Sequence, residues 1–357
     1  MEKLKSKNKV LLGLSGGVDS TTAALLLKKK GFDVTGYFFD VTGENTEGRD
    51  DAQRVADQLE IPLVSDDVSQ IFKETVIDNF LSEYSEGRTP NPCVVCNPNV
   101  KFKKLLENAD RIGAYYIATG HYCRIVYDRE KDFYFVRRAA NEKKDQTYML
   151  YRLGQDVLRR LIFPLGEFSD KNDIRSIARE NRLDNADKKD SQEICFIPEG
   201  KSYDDYMKSC GIKDIPGDFV DKEGNILGKH KGISHYTVGQ RKGLGIALGK
   251  PAFVLRIDRK TNRVIIGGNE DLFSTKVICD DYIFTAADAD YWNGKKVSAK
   301  IRYSAIPSEA ILTIDNKKIT ATFSEPQRAV TPGQSIVFYD GDKVIGGGFI
   351  KNVNKLL

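Results

Sequence analysis

Histidine is scarce in this chain. His121, His230 and His235 are the only three in 357 residues, which argues against an all-histidine metal site. No apolar run approaches the length that spans a bilayer. The basic start, Met1 to Lys9, is not followed by the apolar stretch of a signal peptide. A cytoplasmic protein with no membrane partner is therefore expected. There is no internal repeat and no low-complexity segment. The net charge of +4 permits a nucleic-acid partner through local patches but does not demand one. The six cysteines, Cys93, Cys96, Cys123, Cys195, Cys210 and Cys279, do not suggest a disulfide framework in a cytosolic chain of this length. Burial or chemistry is their default. What remains is an ordinary globular composition, long enough for two or three domains with real cores.

The stretch Gly13-Leu14-Ser15-Gly16-Gly17-Val18-Asp19-Ser20 organises the chain. It follows an apolar run, Val10 to Leu12, that reads as a buried strand. It precedes Thr21 to Lys30, which reads as a helix closed by Gly31. A strand, a glycine turn and a helix start aim backbone N–H groups and a positive dipole end at one spot. Gly16 and Gly17 let the backbone approach a phosphate, and Ser15 and Ser20 add hydroxyl donors. The loop lacks the Gly-Lys-Ser/Thr ending of a Walker A loop and the spacing of a dinucleotide fingerprint. It resembles the PP-loop of ATP pyrophosphatases, Ser-Gly-Gly-x-Asp-Ser. That resemblance implies cleavage of ATP between its α and β phosphates and adenylation of a substrate oxygen. The bland alternative is an ordinary glycine-rich β–α turn.

Strand and helix signals alternate from the N-terminus to about residue 120. Strands are expected over 32–41, 61–64 and 114–119, and helices over 49–60, 71–84 and 100–112. This alternation argues an α/β domain with a doubly wound parallel sheet. Ligands on such sheets sit beyond the carboxyl ends of the strands. Phe39, near one such end, packs on an adenine or serves as a core aromatic; Gly120 and His121 end a later strand and border the same region. A hairpin is expected over 122–138. The polar stretch from Asn141 to Leu150 leads into a helix start, and a helix over 169–182 takes Ser169 as its N-cap.

Glycine and basic residues are dense between Lys229 and Ile246. We read a small α+β central domain there with a phosphate-binding face, against the alternative of a solvated loop. From Thr275 onward, short strands with regular turns suggest an all-β barrel. The domains expected are 1–203, 204–272 and 273–357, with part of 150–190 packing on the central one.

Two cysteine segments interrupt the pattern. Gly87 to Pro98 holds three prolines and two Asn-Pro pairs around Cys93-Val94-Val95-Cys96. It reads as a shaped, rigid loop. Its Cys-x-x-Cys is a metal site, a redox pair or chance, and no second Cys-x-x-Cys completes a zinc site. Cys195 follows the charged run from Lys188 to Glu193. Nearby basic residues lower a thiol pKa and favour the thiolate; the alternative is a buried structural cysteine.

Taken in order, the PP-loop, Gly87 to Asn97, Ala118 to Tyr122, Lys144 to Gln146, Ser191 to Ile197, His235 to Gly243 and Arg302-Tyr303 closely resemble the bacterial tRNA-specific 2-thiouridylases. The resemblance covers nearly the whole chain. It implies adenylation of the wobble uridine 2-oxygen in tRNAs for lysine, glutamate and glutamine. Sulfur then arrives from a persulfide supplied by a cysteine desulfurase relay. It implies ATP and Mg²⁺ as cofactors, the metal offsetting phosphate charge. Position by position, it makes Cys96 the nucleophile and Cys195 the persulfide carrier, with a disulfide between them as one product. It makes Gly13, Leu14, Ser15, Gly16, Gly17, Val18, Asp19, Ser20, Phe39 and Gly120 ATP contacts. It makes Asn91, Pro92, Cys93, Lys144, Asp145, Gln146, Arg302 and Tyr303 tRNA contacts.

One position departs from the family. Many members carry an aspartate, a candidate acid–base group, where this chain has Cys93. The change leaves the acid–base step open. It also places three thiols, Cys93, Cys96 and Cys195, in the pattern of related tRNA thiolases that hold a [4Fe–4S] cluster. A cluster, zinc, a redox pair and a neutral replacement stand as alternatives. A different PP-loop synthetase and a non-catalytic tRNA-binding protein are the rival functions.

Overall fold

The computed structural model describes residues 6–188, 194–246, 249–315 and 317–351. The chain divides into two compact units.

The first unit comprises Met1–Val76, Cys93–Phe196 and Asp342–Ile345. Its sheet is built from β1 (Ser6–Gly13), β2 (Asp33–Asp40), β3 (Leu63–Asp67), β4 (Ala114–Ala118) and β7 (Leu161–Ile162). The strand order is β3-β2-β1-β4-β7, and every neighbouring pair is parallel. Alternate residues of β1 and β2 face opposite ways. Leu12 and Phe38 join the core cluster that carries Ala23, Leu27, Val55, Ala56 and Ile174. These come from the helices Val18–Lys29, Thr46–Gln58 and Lys171–Glu180. Tyr37 points the other way, where its hydroxyl meets Asn108 of the helix Phe102–Ile112. Strands buried on both faces must be apolar along their whole length, which is why Val10-Leu11-Leu12 shows no polar alternation. The doubly wound sheet is as expected. The chain leaves β1 toward β2 on one side, while β4 lies on the other. The switch point falls between β1 and β4, at the PP-loop.

The expected hairpin is present as β5 (Cys123–Asp128) and β6 (Phe133–Arg138). Four local expectations need correction. The Gly87–Pro98 stretch is not a loop throughout: Pro92–Cys96 forms a helical turn that continues through a π-turn, Asn97–Lys101, into the helix Phe102–Ile112. Proline at the first helical position starts a helix, because the N–H it lacks has no partner there anyway. The helix expected at Ser169 is capped one residue later, by the Asp170 carboxylate accepting from the Asn172 N–H. The third strand lies over Leu63–Asp67, so Ser65-Asp66-Asp67 belongs to the strand. The stretch ending at Leu150 forms only a 3₁₀ turn, Thr147–Met149.

The second unit comprises Ile77–Pro92, Ile197–Gly341 and Gly346–Leu357. Its central sheet has the order β10-β11-β8-β9, from β8 (Gly217–Val220), β9 (Ile226–His230), β10 (Phe253–Asp258) and β11 (Arg263–Gly267). The helix Tyr203–Ser209, started by a Ser202/Asp205 capping box, completes the α+β region. The β-region is a closed six-stranded barrel. It runs β12 (Phe273–Phe284), β15 (Lys318–Arg328), β14 (Ser308–Asp315), β13 (Lys296–Lys300), β16 (Ser335–Asp340) and β17 (Lys343–Ile350), with β17 returning to β12. Closure removes the exposed strand edges that an open sheet would leave. At the seam, a Cβ on Gly346 would stand 2.2 Å from the Ile283 carbonyl oxygen.

Gly346→Ala is expected to push β17 off β12 and to cost about 1–3 kcal/mol of stability. Calorimetric melting of the variant checks this, and an unchanged melting temperature would contradict it.

Candidate active site

The PP-loop is held by its own side chains. Ser20 Oγ donates to the Gly17 carbonyl at 3.0 Å and accepts from the Ser15 N–H at 3.2 Å. Thr21 Oγ1 donates to the same carbonyl at 2.9 Å. Gly17 caps the helix Val18–Lys29 with extended backbone and no side-chain bond. The first-turn N–H groups are therefore left for a ligand. Gly16 has φ +74°, and a Cβ there would meet Asp51 Cβ at 2.6 Å. Its carbonyl accepts from Asn185 Nδ2 at 2.8 Å. Gly120 lies against the start of the same helix, where a Cβ would stand 2.9 Å from the Ser20 backbone nitrogen. Only glycine allows either approach without displacing backbone.

A cleft of about 210 Å³ opens at this point. Gly13, Ser15, Asp19 and Ser20 supply its polar floor, and Leu14, Phe38 and Phe39 an apolar wall. Thr119, Gly120, His121, Gln146 and Lys101 close it. The floor thus offers hard oxygen donors and backbone N–H groups beside an aromatic, a combination suited to a nucleotide and its magnesium. Asp19 accepts from the Tyr122 hydroxyl at 2.8 Å and from Lys171 Nζ at 3.2 Å. Gln146 accepts from the Tyr122 N–H at 2.8 Å. His121 shares a 2.7 Å bond with Thr119 Oγ1, and burial, helped by the Lys101 charge, pulls its pKa down to about 3.

Cys96 ends its helical turn and is buried, while Cys93 and Cys195 are exposed; all three are free thiols. Burial pushes the Cys96 thiol up, against the pull of Lys101. Cys195 reaches solvent as a residue, but its sulfur is crowded, and burial followed by the neighbouring Cys96 raises its pKa. This corrects the expectation that adjacent basic residues lower it. The Lys188 ammonium is engaged by Asp51, and residues 189–193 lie outside the described residues. Phe196 anchors the segment against Phe72, ring centroids 5.7 Å apart. Among the described residues no group of three His, Cys, Asp or Glu side chains is placed to hold a metal ion. The cluster and zinc alternatives therefore find no ligand set among the described residues.

Of the residues expected to contact ATP, Gly13, Leu14, Ser15, Asp19, Ser20, Phe39 and Gly120 line this cleft; so does Gln146, which was expected to contact tRNA. Gly16, Gly17 and Val18 shape the loop behind it. Asp145 is buried, its carboxylate accepting from the Ala139 N–H and the Thr147 hydroxyl. Lys144 is half-buried on the adjacent turn. Asn91 and Pro92 belong to the second unit, as do Arg302 and Tyr303 on the turn after β13, where Lys300 lies 5.8 Å from the Tyr303 ring. Sequence reasoning missed Lys101, Lys171 and Asn185. Each is a lone polar residue on a helix or turn, with no motif to mark it.

A glycine turn at the switch point of a parallel sheet, opening onto a cleft with a polar floor and an aromatic wall, defines an ATP-handling α/β domain of the PP-loop type. The chain matches a tRNA methyl transferase HUP domain model over residues 8–199, a tRNA methyl transferase PRC-barrel domain over 204–268 and an aminomethyltransferase beta-barrel domain over 274–350. The tRNA-specific 2-thiouridylase MnmA of Clostridium perfringens is 47% identical over 361 residues, covering 98% of this chain and 99% of its own. That of Clostridium acetobutylicum is 48% identical over 356 residues, covering 96% and 99%. The chain belongs to the tRNA-specific 2-thiouridylase family.

The His121 ring is expected to stay neutral across pH 5–8, because its lowered pKa puts protonation near pH 3. A flat imidazole proton shift by NMR over that range checks this; a titration step within it would contradict the burial argument.

Proposed function

We propose that this protein is a cytoplasmic tRNA-uridine 2-sulfurtransferase that makes 2-thiouridine at the wobble position. The observation that carries this reading is the pairing of a PP-loop cleft with Cys96 and Cys195. Cys96 and Cys195 are distant in sequence, yet Cys96 is close enough to raise the Cys195 pKa, and the charge of Lys101, which lines the cleft, acts on both. An ATP loop alone would suit many synthetases. A tRNA methylase would need neither the ATP loop nor the thiols.

ATP enters as its magnesium complex, the metal offsetting phosphate charge. Gly13 to Ser20 receive the phosphates, and Phe39 and Gly120 border the base and ribose. The wobble uridine leaves the anticodon stack, guided by Asn91, Pro92 and Cys93. Its 2-oxygen attacks the α-phosphorus, pyrophosphate leaves, and the N3 proton is lost. A poor leaving group has become a good one. Cys195 carries a persulfide delivered by the relay of a cysteine desulfurase. The terminal sulfur attacks C2. The Cys96 thiolate attacks Cys195 Sγ, so the old S–S bond breaks toward the uridine sulfur and AMP departs. A Cys96–Cys195 disulfide remains, and two electrons from a cellular thiol reductant restore both thiols. Lys144, Arg302 and Tyr303 contact tRNA through phosphate bonds and stacking. Asp145 acts beneath the surface by fixing the turn that carries Lys144 and Gln146. The accepted tRNAs are those for lysine, glutamate and glutamine. Three domains, 1–203, 204–272 and 273–357, divide the work.

The test is incubation with magnesium ATP, a persulfide source and unmodified lysine tRNA, followed by nucleoside mass spectrometry for 2-thiouridine. Its absence, with AMP formed and sulfur supplied, would overturn the sulfur-transfer reading. Cys195→Ser is expected to abolish 2-thiouridine while leaving pyrophosphate release largely intact. Equal loss of both steps in a folded variant would contradict the role given to Cys195. Asp19→Ala, which frees Tyr122 and Lys171, is expected to lower pyrophosphate release by tenfold or more, roughly the loss of one charge-assisted bond. Unchanged ATP use would refute that.

A further inference from the structure

Lys101 carries an ammonium that the reaction described above does not use. Its side chain lines the nucleotide cleft, with Nζ 5.9 Å from the Phe39 ring centroid. Other cations around the site are matched by carboxylates: Lys171 by Asp19 and Lys188 by Asp51. Among the described residues Lys101 has no carboxylate partner. A half-buried cation without a counter-ion is costly unless an anion arrives.

The backbone explains how Lys101 comes to face both ways. It closes the π-turn Asn97–Lys101, which begins directly after Cys96. Widening the helix by one residue per turn re-aims the backbone N–H, and such turns recur at functional sites. The Lys101 N–H faces the Cys96 sulfur and favours its thiolate. The side-chain charge pulls both the Cys96 and Cys195 thiols down, against burial and against the neighbouring thiols, which push them up. Cys93 is the remaining titratable group facing both. His121, which also lines the cleft, is neutral and supplies no competing cation.

We propose that Lys101 links the two halves of the reaction, pairing with the phosphates of bound ATP and tuning the ionisation of Cys96 and Cys195. This rests on the sulfurtransferase reading for its purpose, though not for its test. Lys101 acts on the thiols as a positioning residue through its charge. An anion that occupies the ammonium withdraws that charge from the thiols, so the sulfurs stay protonated while phosphates fill the cleft. As pyrophosphate leaves, the charge returns to the thiols when sulfur transfer needs thiolates.

The experiment compares the full chain with Lys101→Gln and Lys101→Arg. Iodoacetamide alkylation of Cys96 and Cys195 is followed by peptide mass spectrometry across pH, without tRNA or turnover. Lys101→Gln is expected to move both profiles to higher pH and to slow alkylation at neutral pH by roughly threefold or more, with a raised KM for ATP. Lys101→Arg should restore the profile. In the unmodified chain, added inorganic pyrophosphate should move the profile the same way. A block that lowers the high-pH plateau without moving the midpoint would mean steric shielding and would overturn the coupling. So would unchanged profiles in Lys101→Gln. Should Lys101→Gln fail to fold, the pyrophosphate arm on the unmodified chain decides alone. A failed 2-thiouridine assay would leave this result intact, because alkylation needs no catalysis.

Discussion

Backbone touches backbone at the start of the helix Val18–Lys29, and the site depends on that closeness. Gly16 brings the PP-loop against the helix Thr46–Gln58, and Gly120 brings the end of β4 against Asp19 and Ser20. A single methyl group at either place would have to displace main chain. The two approaches fix where the first-turn N–H groups point, and so where an anion can sit. The helix Lys171–Glu180 and the turn at Asn185 then lock the arrangement from behind. Lys171 holds Asp19, and Asn185 holds the Gly16 carbonyl and the Thr21 hydroxyl. The loop is therefore held by distant stretches of sequence, although its motif is contiguous.

Thiol chemistry beside that site obeys an opposing demand. Burial keeps Cys96 and Cys195 protonated, and protonated thiols resist stray oxidation and alkylation. Sulfur transfer needs the anions. A fixed cation nearby reconciles the two only if its effect can be switched, since a permanent strong pull would leave reactive thiolates exposed between turnovers. Competition between phosphate and thiolate for one ammonium is a physical switch that requires no moving segment.

The parallel sheet and the PP-loop were legible because both are written locally, in continuous apolar runs and a contiguous glycine motif. The cysteine segment was not. Prolines around Cys93 and Cys96 read as a loop, yet Pro92 at a helix start and a π-turn after Cys96 make it helical. The pattern of three thiols invited a cluster, but among the described residues no three such side chains are placed to hold a metal ion. The thiol of Cys195 was misjudged for a related reason. Charge adjacent in sequence says nothing about which carboxylate has already claimed it, and Lys188 is claimed by Asp51. Lys101 had no signature at all. Its importance comes from a side chain that reaches a cleft assembled by residues from four other segments.

The run Lys144-Asp145-Gln146 shows how far a motif can mislead when read as one function. Its three side chains part company. Gln146 turns into the nucleotide cleft and fixes Tyr122, whose hydroxyl in turn fixes Asp19. Asp145 is 5% exposed and ties Ala139 to Thr147, so it supports the turn from within. Lys144 is left nearer the surface, its N–H held by Asn141. A change at Asp145 would therefore disturb Lys144 and Gln146 together, because one buried carboxylate sets the turn on which both neighbours ride. Contiguity here reflects the economy of a tight turn, in which consecutive side chains point in different directions, one to the surface, one to the core and one to the cleft.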